Sequence, residues 1–326
     1  MKLRTYSIAL SAALLMGASF VAYGQGSDSQ TFPDKAITLI VPTAPGGSWD
    51  AQAQILKGPW GKALGQPVRI KYEKPELAAL QGLSRHTDNY HVMIIANEFA
   101  TTSLYVNHVS ITMDDFYPLA TLQNDRMTVF VPKNSKFHSV KDLVQAAKQQ
   151  RINLGVSGIT SSNGLMARIL AKVAGIESNL NIIPFNGGSE LRTVVAGAHV
   201  DAGISPSAGI VAFGSTIRPI GYFGNSNPAS SLIHTTAIGT QLGVTIPNVG
   251  FGQALYVSAK AQSKHPKDTG RLISALNTAV KSETFKQAMQ KAGYAPYFHF
   301  ADAAATRKAT AEMKAALDQY GKLMTR

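Results

Sequence analysis

Three short stretches of this 326-residue chain bring glycine together with small hydroxyl side chains. They are Pro45-Gly46-Gly47-Ser48-Trp49-Asp50, Ser157-Gly158-Ile159-Thr160-Ser161-Ser162 and Asn186-Gly187-Gly188-Ser189. Each follows a short apolar run and precedes a helical pattern. Such a loop presents unpaired backbone N–H groups at a helix N-terminus, where the helix dipole adds a modest preference for anions. Glycine permits close approach, and serine and threonine supply short donors. A carboxylate suits these groups, and no Lys or Arg stands inside any of the three stretches. No Gly-x-x-x-x-Gly-Lys-Ser/Thr loop occurs, and the first stretch lacks Gly-x-Gly-x-x-Gly spacing, so no nucleotide and no cofactor is expected. Ordinary strand-to-helix turns can share this composition. Each stretch alone leaves both readings open; three together favour a ligand.

Residues near the loops carry paired readings. Trp49 offers a flat apolar wall to a ring or alkyl chain, or packs the first helix against a sheet. Asp50 would repel an anion, so it reads better as a brace for loop backbone or as a first-turn acid. Asp201 orients a binding loop or ends a strand in solvent. Phe185 and Phe251 line a crevice or pack the core. Arg192, less than one helical turn past the third loop, meets a second carboxylate or faces water. His86 and His91 stand five apart without a third ligand, and the eight histidines form no set, so no metal is expected. The loop serines have neither a Gly-x-Ser-x-Gly elbow nor a histidine–acid relay, although an exported α/β hydrolase remains the alternative of a different class.

The elements that must position these residues are legible as alternation. Residues 37–41, 68–72, 92–96, 127–131, 152–156, 180–185, 200–204 and 217–223 read as strands. Helical stripes run through Val140, Leu143, Val144 and Ala147, through Leu165, Met166, Ile169, Leu170 and Val173, and through Leu272, Leu276 and Val280. Another, Phe285, Met289 and Ala292, stops at Gly293. Ser48 is expected to cap a helix beginning near Asp50, and Gly58-Pro59 to kink or stop it before Gly65. The tail, residues 301–323, fits a docked surface helix. This order predicts an α/β protein with mostly parallel sheets flanked by helices.

Lys2 and Arg4 precede an apolar stretch over residues 8–21, and Ala22 and Gly24 stand two apart before Gln25. That pattern predicts a secretory leader, residues 1–24, cleaved after Gly24. The stretch is short and diluted by serine and glycine for a membrane span. The chain has no cysteine, which excludes disulfides, thiolate metal sites and a cysteine nucleophile. Its formal charge of +12 falls by two with the leader. Lys and Arg are dispersed and no basic–aromatic reader motif occurs, so no nucleic-acid partner is expected.

An ordered series of motifs resembles the periplasmic solute receptors of tripartite tricarboxylate transporters, the Bug or TctC-like family. It runs from Phe32-Pro33-Asp34-Lys35-Ala36-Ile37 through Val41-Pro42-Thr43-Ala44-Pro45-Gly46-Gly47-Ser48-Trp49-Asp50 and Ala63-Leu64-Gly65-Gln66-Pro67-Val68. Asp115-Phe116-Tyr117-Pro118-Leu119-Ala120, Asp142-Leu143-Val144, Pro184-Phe185-Asn186-Gly187-Gly188-Ser189, Val195-Ala196-Gly197 and Val200-Asp201 continue it. The resemblance implies a two-lobed Venus-flytrap receptor of the type II binding-protein class. Its first lobe would be residues 25–126 and 250–326, its second residues 127–249. It further implies a monomeric periplasmic protein that catalyses nothing and hands a small organic carboxylate to membrane subunits; a sensing role is the alternative within the class. The ligand would be held by the first loop (Pro45, Gly46, Gly47, Ser48, Trp49, Asp50), the facing loop (Ser157, Gly158, Thr160, Ser161, Ser162) and the third (Gly187, Gly188, Ser189). Arg126, near the crossing between lobes, is a lesser candidate. The chain departs from the family at Glu73-Lys74-Pro75-Glu76, where relatives carry glycines, at Ile159-Thr160-Ser161-Ser162-Asn163 and at Gly58-Pro59-Trp60, so no named ligand transfers.

Overall fold

The computed structural model describes residues 32–324, so the leader and its cleavage after Gly24 lie outside the described residues. The chain opens with β1 (Ile37–Val41), α1 (Ser48–Leu64), β2 (Val68–Tyr72), α2 (Glu76–Leu83), β3 (His91–Ala96), α3 (Asn97–Val106) and β4 (Phe116–Gln123). It crosses into β5 (Met127–Pro132), α4 (Val140–Ala147), β6 (Ile152–Val156), α5 (Ser162–Ala174) and β7 (Leu180–Pro184). There follow α6 (Gly188–Ala196), β8 (Ala202–Pro206), α7 (Ser207–Phe213), β9 (Ile217–Tyr222) and α8 (Ile238–Leu242). It returns through β10 (Gln253–Ser258), α9 (Ala259–Lys264), α10 (Pro266–Lys281), α11 (Glu283–Lys291), β11 (Phe298–Ala301) and α12 (Ala303–Tyr320). The strands form two sheets, ordered β11-β4-β10-β3-β1-β2 and β7-β6-β8-β5-β9.

The sheets are mixed, which corrects the expectation of mostly parallel ones. β1 pairs in parallel with β2 and β3, and β6 with β7 and β8. β10 runs against β3 and β4, β5 against β8 and β9, and β11 against β4. The physical reason lies in the crossings. β5 and β10 each enter a sheet from the other one, at the end where the strand-to-helix units leave, and a strand entering there must run against its neighbours.

Local rules yield to packing at two points of α1. Its N-cap is Gly47, with no side-chain cap, and Ser48 is already helical. The helix also continues through Pro59 to a left-handed Gly65, so Gly58-Pro59 does not stop it. Trp60, wholly buried, donates its indole N–H to the Leu272 carbonyl of α10 at 3.3 Å. Burying that ring against α10 outweighs the lost backbone hydrogen bond, which costs about 3 kcal/mol in an isolated helix. Pro118 sits inside β4, opposite Tyr256, where the register with β10 shifts; an irregular pairing is where a strand tolerates a residue without an N–H. α12 docks through buried Thr306, Met313, Ala316 and Leu317. Among the described residues no helix is long and apolar enough to cross a membrane.

Candidate functional site

Strand register places all three glycine–serine loops at the ends of the sheets where the chain crosses. In the first sheet Ala96, at the C-terminal end of β3, pairs with Gln253 at the start of β10. β1 is parallel to β3, so its following loop leaves from that same end. In the second sheet Pro206 pairs with Met127 at the start of β5, and β6 and β7 run parallel to β8. The crossing segments themselves pair: Asp125 and Phe251 exchange backbone hydrogen bonds of 2.9 Å in each direction. Phe251 is therefore a buried residue of the joint.

In the first loop Pro45, Gly46, Gly47 and Ser48 are exposed, and Gly46 adopts φ +89°, a conformation that L side chains rarely take. Asp50 braces it. One carboxylate oxygen accepts from the Gly46 N–H at 2.7 Å, and the other from Tyr72 Oη at 2.8 Å and Gln54 Nε2 at 3.2 Å. Burial pulls its pKa up, but these donors and the nearby Lys57 outweigh burial and hold the carboxyl below its ordinary range. Trp49 is 7% exposed, its ring edge-on to Phe99 at 5.3 Å, so most of its surface packs the core.

The second loop is tied more tightly. Ser161 is the N-cap of α5; its hydroxyl donates to the Gly158 carbonyl at 2.7 Å and accepts from the Gly164 N–H at 3.4 Å. Ser157 Oγ accepts from Asn163 Nδ2 at 2.7 Å. Thr160 is exposed. Ser162 differs: it is 1% exposed, and among the described residues its hydroxyl has no partner. Two residues that sequence reasoning missed hold this loop. A Cβ on Gly164 would lie 2.3 Å from the Ile159 carbonyl oxygen, and Arg168 donates to that oxygen at 3.0 Å. A glycine two residues after the hydroxyl run was the available signal for the first; nothing local marks the second.

At the third loop Gly187 is the N-cap of α6, and Glu190 accepts from the Asn186 N–H at 2.9 Å. Gly188 and exposed Ser189 open the helix. Arg192 points back at this opening, with guanidinium nitrogens 3.4 Å from both Ser189 Oγ and Ser205 Oγ. Burial lowers its pKa, and among the described residues its Nε has no hydrogen-bond partner. Among the described residues no carboxylate pairs with it. Phe185 is half-buried and packs over Gly155 beside Leu191. Asp201 is not at the loops. It precedes β8 and accepts from the Asn153 N–H at 2.8 Å, at the opposite end of the sheet, so what it orients is the start of β6.

The crossing holds charges that the sequence reading did not single out, apart from Arg126. Asp125 is fully buried and accepts from the hydroxyl and N–H of Ser207 and the N–H of Ala208, which caps α7. Burial nevertheless raises its pKa. Glu98, 2% exposed, accepts from the Gly252 N–H at 2.9 Å, and burial raises its pKa to about 7. Arg126 reaches across to the Ser226 carbonyl at 2.8 Å. Two hollows in the surface lie outside this arrangement. One of about 790 Å³ runs beside α1 and β2, the other of about 480 Å³ beside α8.

Comparison with known proteins gives the family and the fold. A family model described as the tripartite tricarboxylate transporter family receptor matches residues 53–315. An Agrobacterium vitis protein, described as a UPF0065 protein, is 24% identical over 298 residues, which cover 87% of this chain and 82% of the relative. In fold, a TctC solute-binding protein from Polaromonas superposes with a TM-score of 0.69 at 20% identity, covering 89% of this chain and all of that one. A palustris protein solved with adipate gives 0.72 at 18% identity, covering 90% and 98%. MatC from Rhodopseudomonas palustris, solved with malate, gives 0.70 at 16%, covering 88% and 99%. With the matched model spanning most of its length, the chain belongs to the family of tripartite tricarboxylate transporter receptors.

Proposed function

We propose that this receptor is exported, loses its leader after Gly24 and works as a monomer in the periplasm. There it captures a small organic carboxylate between two lobes, residues 25–126 with 250–326 and residues 127–249, and delivers it to the membrane subunits of its transporter. The matched family is one of receptors, so the serine-rich loops are binding groups and not nucleophiles. The buried, unspent hydroxyl of Ser162 at the start of a 13-residue helix carries this reading. A buried hydroxyl without a partner is costly, and an incoming carboxylate oxygen satisfies it together with free N–H groups of the same helix turn. The loops Pro45–Asp50 and Gly187–Ser189 supply further neutral donors. Aligned dipoles in a site sheltered from water hold an anion without an ion pair. Arg192, lacking a carboxylate of its own, is placed to receive a second carboxylate of the ligand. Relatives solved with malate and adipate make dicarboxylates the first compounds to try. Preference of the ligand for the closed arrangement of lobes would then shift the population that docks on the membrane subunits.

Calorimetric titration of the mature chain with mono-, di- and aromatic carboxylates tests the reading. Stoichiometric binding of an unchanged ligand is expected, weakened about tenfold by Ser162→Ala, the worth of roughly 1.5 kcal/mol for one hydrogen bond to a charged group. Time-dependent consumption of the ligand, or no binding by any compound of the three classes, would sink it. The mass of the exported protein checks cleavage after Gly24.

A further inference from the structure

Outside the proposed cleft, the turn between α2 and β3 brings three metal-binding side chains together. Ligand atoms of His86, Asp88 and His91 all lie within 4.8 Å of one another. The two histidines look unpartnered in the sequence; the fold supplies the third donor by setting Asp88 Oδ1 3.1 Å from His91 Nδ1. We propose that His86, Asp88 and His91 form a site for one divalent transition-metal ion of the zinc type. Two imidazoles and a carboxylate are a common donor set for such ions, with remaining positions left to water. Zinc–nitrogen distances of about 2.0–2.1 Å require donors closer than 4.8 Å, a contraction that side-chain rotation supplies.

The turn is held in place before any ion arrives. Asp88 Oδ1 accepts from the Tyr90 N–H at 3.1 Å, and Asn89 Nδ2 donates to the His265 carbonyl at 3.0 Å. Thr269 also donates to Asn89 Oδ1 at 3.2 Å, and His91 is paired with Thr38 in the sheet. The imidazoles of His86 and His91 stack with centroids 3.6 Å apart and planes 14° apart. Each ring, in its neutral form, carries a nitrogen lone pair that can bind a metal. The position opposite Thr38 lies at the far end of β1 from Val41 and the first loop. A metal there clips the α2–β3 turn to the sheet and takes no part in carboxylate capture.

The test is zinc titration of the untagged, chelator-stripped chain by calorimetry, with thermal unfolding in parallel. One equivalent is expected to bind and raise Tm. His86→Ala and His91→Ala should each weaken binding by more than the roughly 10–100-fold that loss of a supporting residue costs. Circular dichroism of the variants checks their folding. Should they not fold, the visible spectrum of Co²⁺ added to the unaltered chain replaces them: a protein-ligated spectrum supports the site, and that of the aqueous ion overturns it. No binding to the unaltered chain, or undiminished binding to a folded His86→Ala/His91→Ala double variant, also overturns it.

Discussion

Asp50 sets a negative charge beside a loop that we propose receives one. Its two oxygens are spent on Gly46, Tyr72 and Gln54, so it shapes the loop that would meet the ligand. This assignment can be separated from direct contact by the sign of one measurement. If Asp50 faced the anion, Asp50→Ala would relieve repulsion and tighten binding. As a brace, its removal frees the Gly46 N–H and weakens binding about tenfold or more, since a hydrogen bond to a charged group is worth about 1.5–3 kcal/mol. Calorimetry on the variant decides between them. The lowered pKa sets the pH sense as well: the stabilisation is present above the ordinary carboxylate range and is lost as pH falls through the lowered value. The brace role was legible from charge alone, but Tyr72, 22 positions away, was not.

At the scale of elements, the N-terminus of α5 depends on a close approach that only glycine allows. Gly164→Ala would press a methyl group onto the Ile159 carbonyl and push the 157–162 loop off the helix. Overpacking of this kind costs about 1–3 kcal/mol, and carboxylate binding should fall with it. Gly58→Ala is the counterpart. Nothing lies within 4 Å of a Cβ there, and the helical position gains about 0.5–1 kcal/mol. Denaturant unfolding of both variants should give shifts of opposite sign; equal shifts would refute the close-approach argument. The loop itself was readable because its Gly and Ser residues are contiguous. That α1 runs on past Gly58-Pro59 was not legible, because its decisive partner, Leu272, lies 212 positions away.

Across the whole molecule, the two halves are joined where Asp125 meets Phe251, and buried charges gather at that joint. Glu98 binds the N–H of Gly252 in one crossing segment and feels Arg126 in the other. Its pKa rises from 4.5 to about 7, so between these values the folded chain holds a proton that the unfolded chain has released. Stability from this group is therefore full below about pH 4.5 and declines as pH rises to about 7, by on the order of 3 kcal/mol. Buried Asp125, also raised, acts in the same direction. Glu98→Gln keeps an acceptor for Gly252 and removes the titration, so its unfolding free energy should vary less between pH 5 and pH 8 than that of the unaltered chain. Parallel pH profiles would show that Glu98 ionises normally.

What the sequence by itself determined is local: the alternation of strands and helices, the three glycine–serine loops without cations, and the ordered motifs that resemble a receptor family. Side-chain periodicity and turn chemistry act over a few residues, so they can be read along the chain. Only the tertiary structure decided the reversed directions of β5 and β10 and the placement of Asp201 away from the loops. It also left, among the described residues, the Ser162 hydroxyl without a partner and Arg192 without an acid. Those outcomes depend on which distant segment closes each sheet and which buried polar atoms find partners there, and burial and pairing are properties of the assembled molecule.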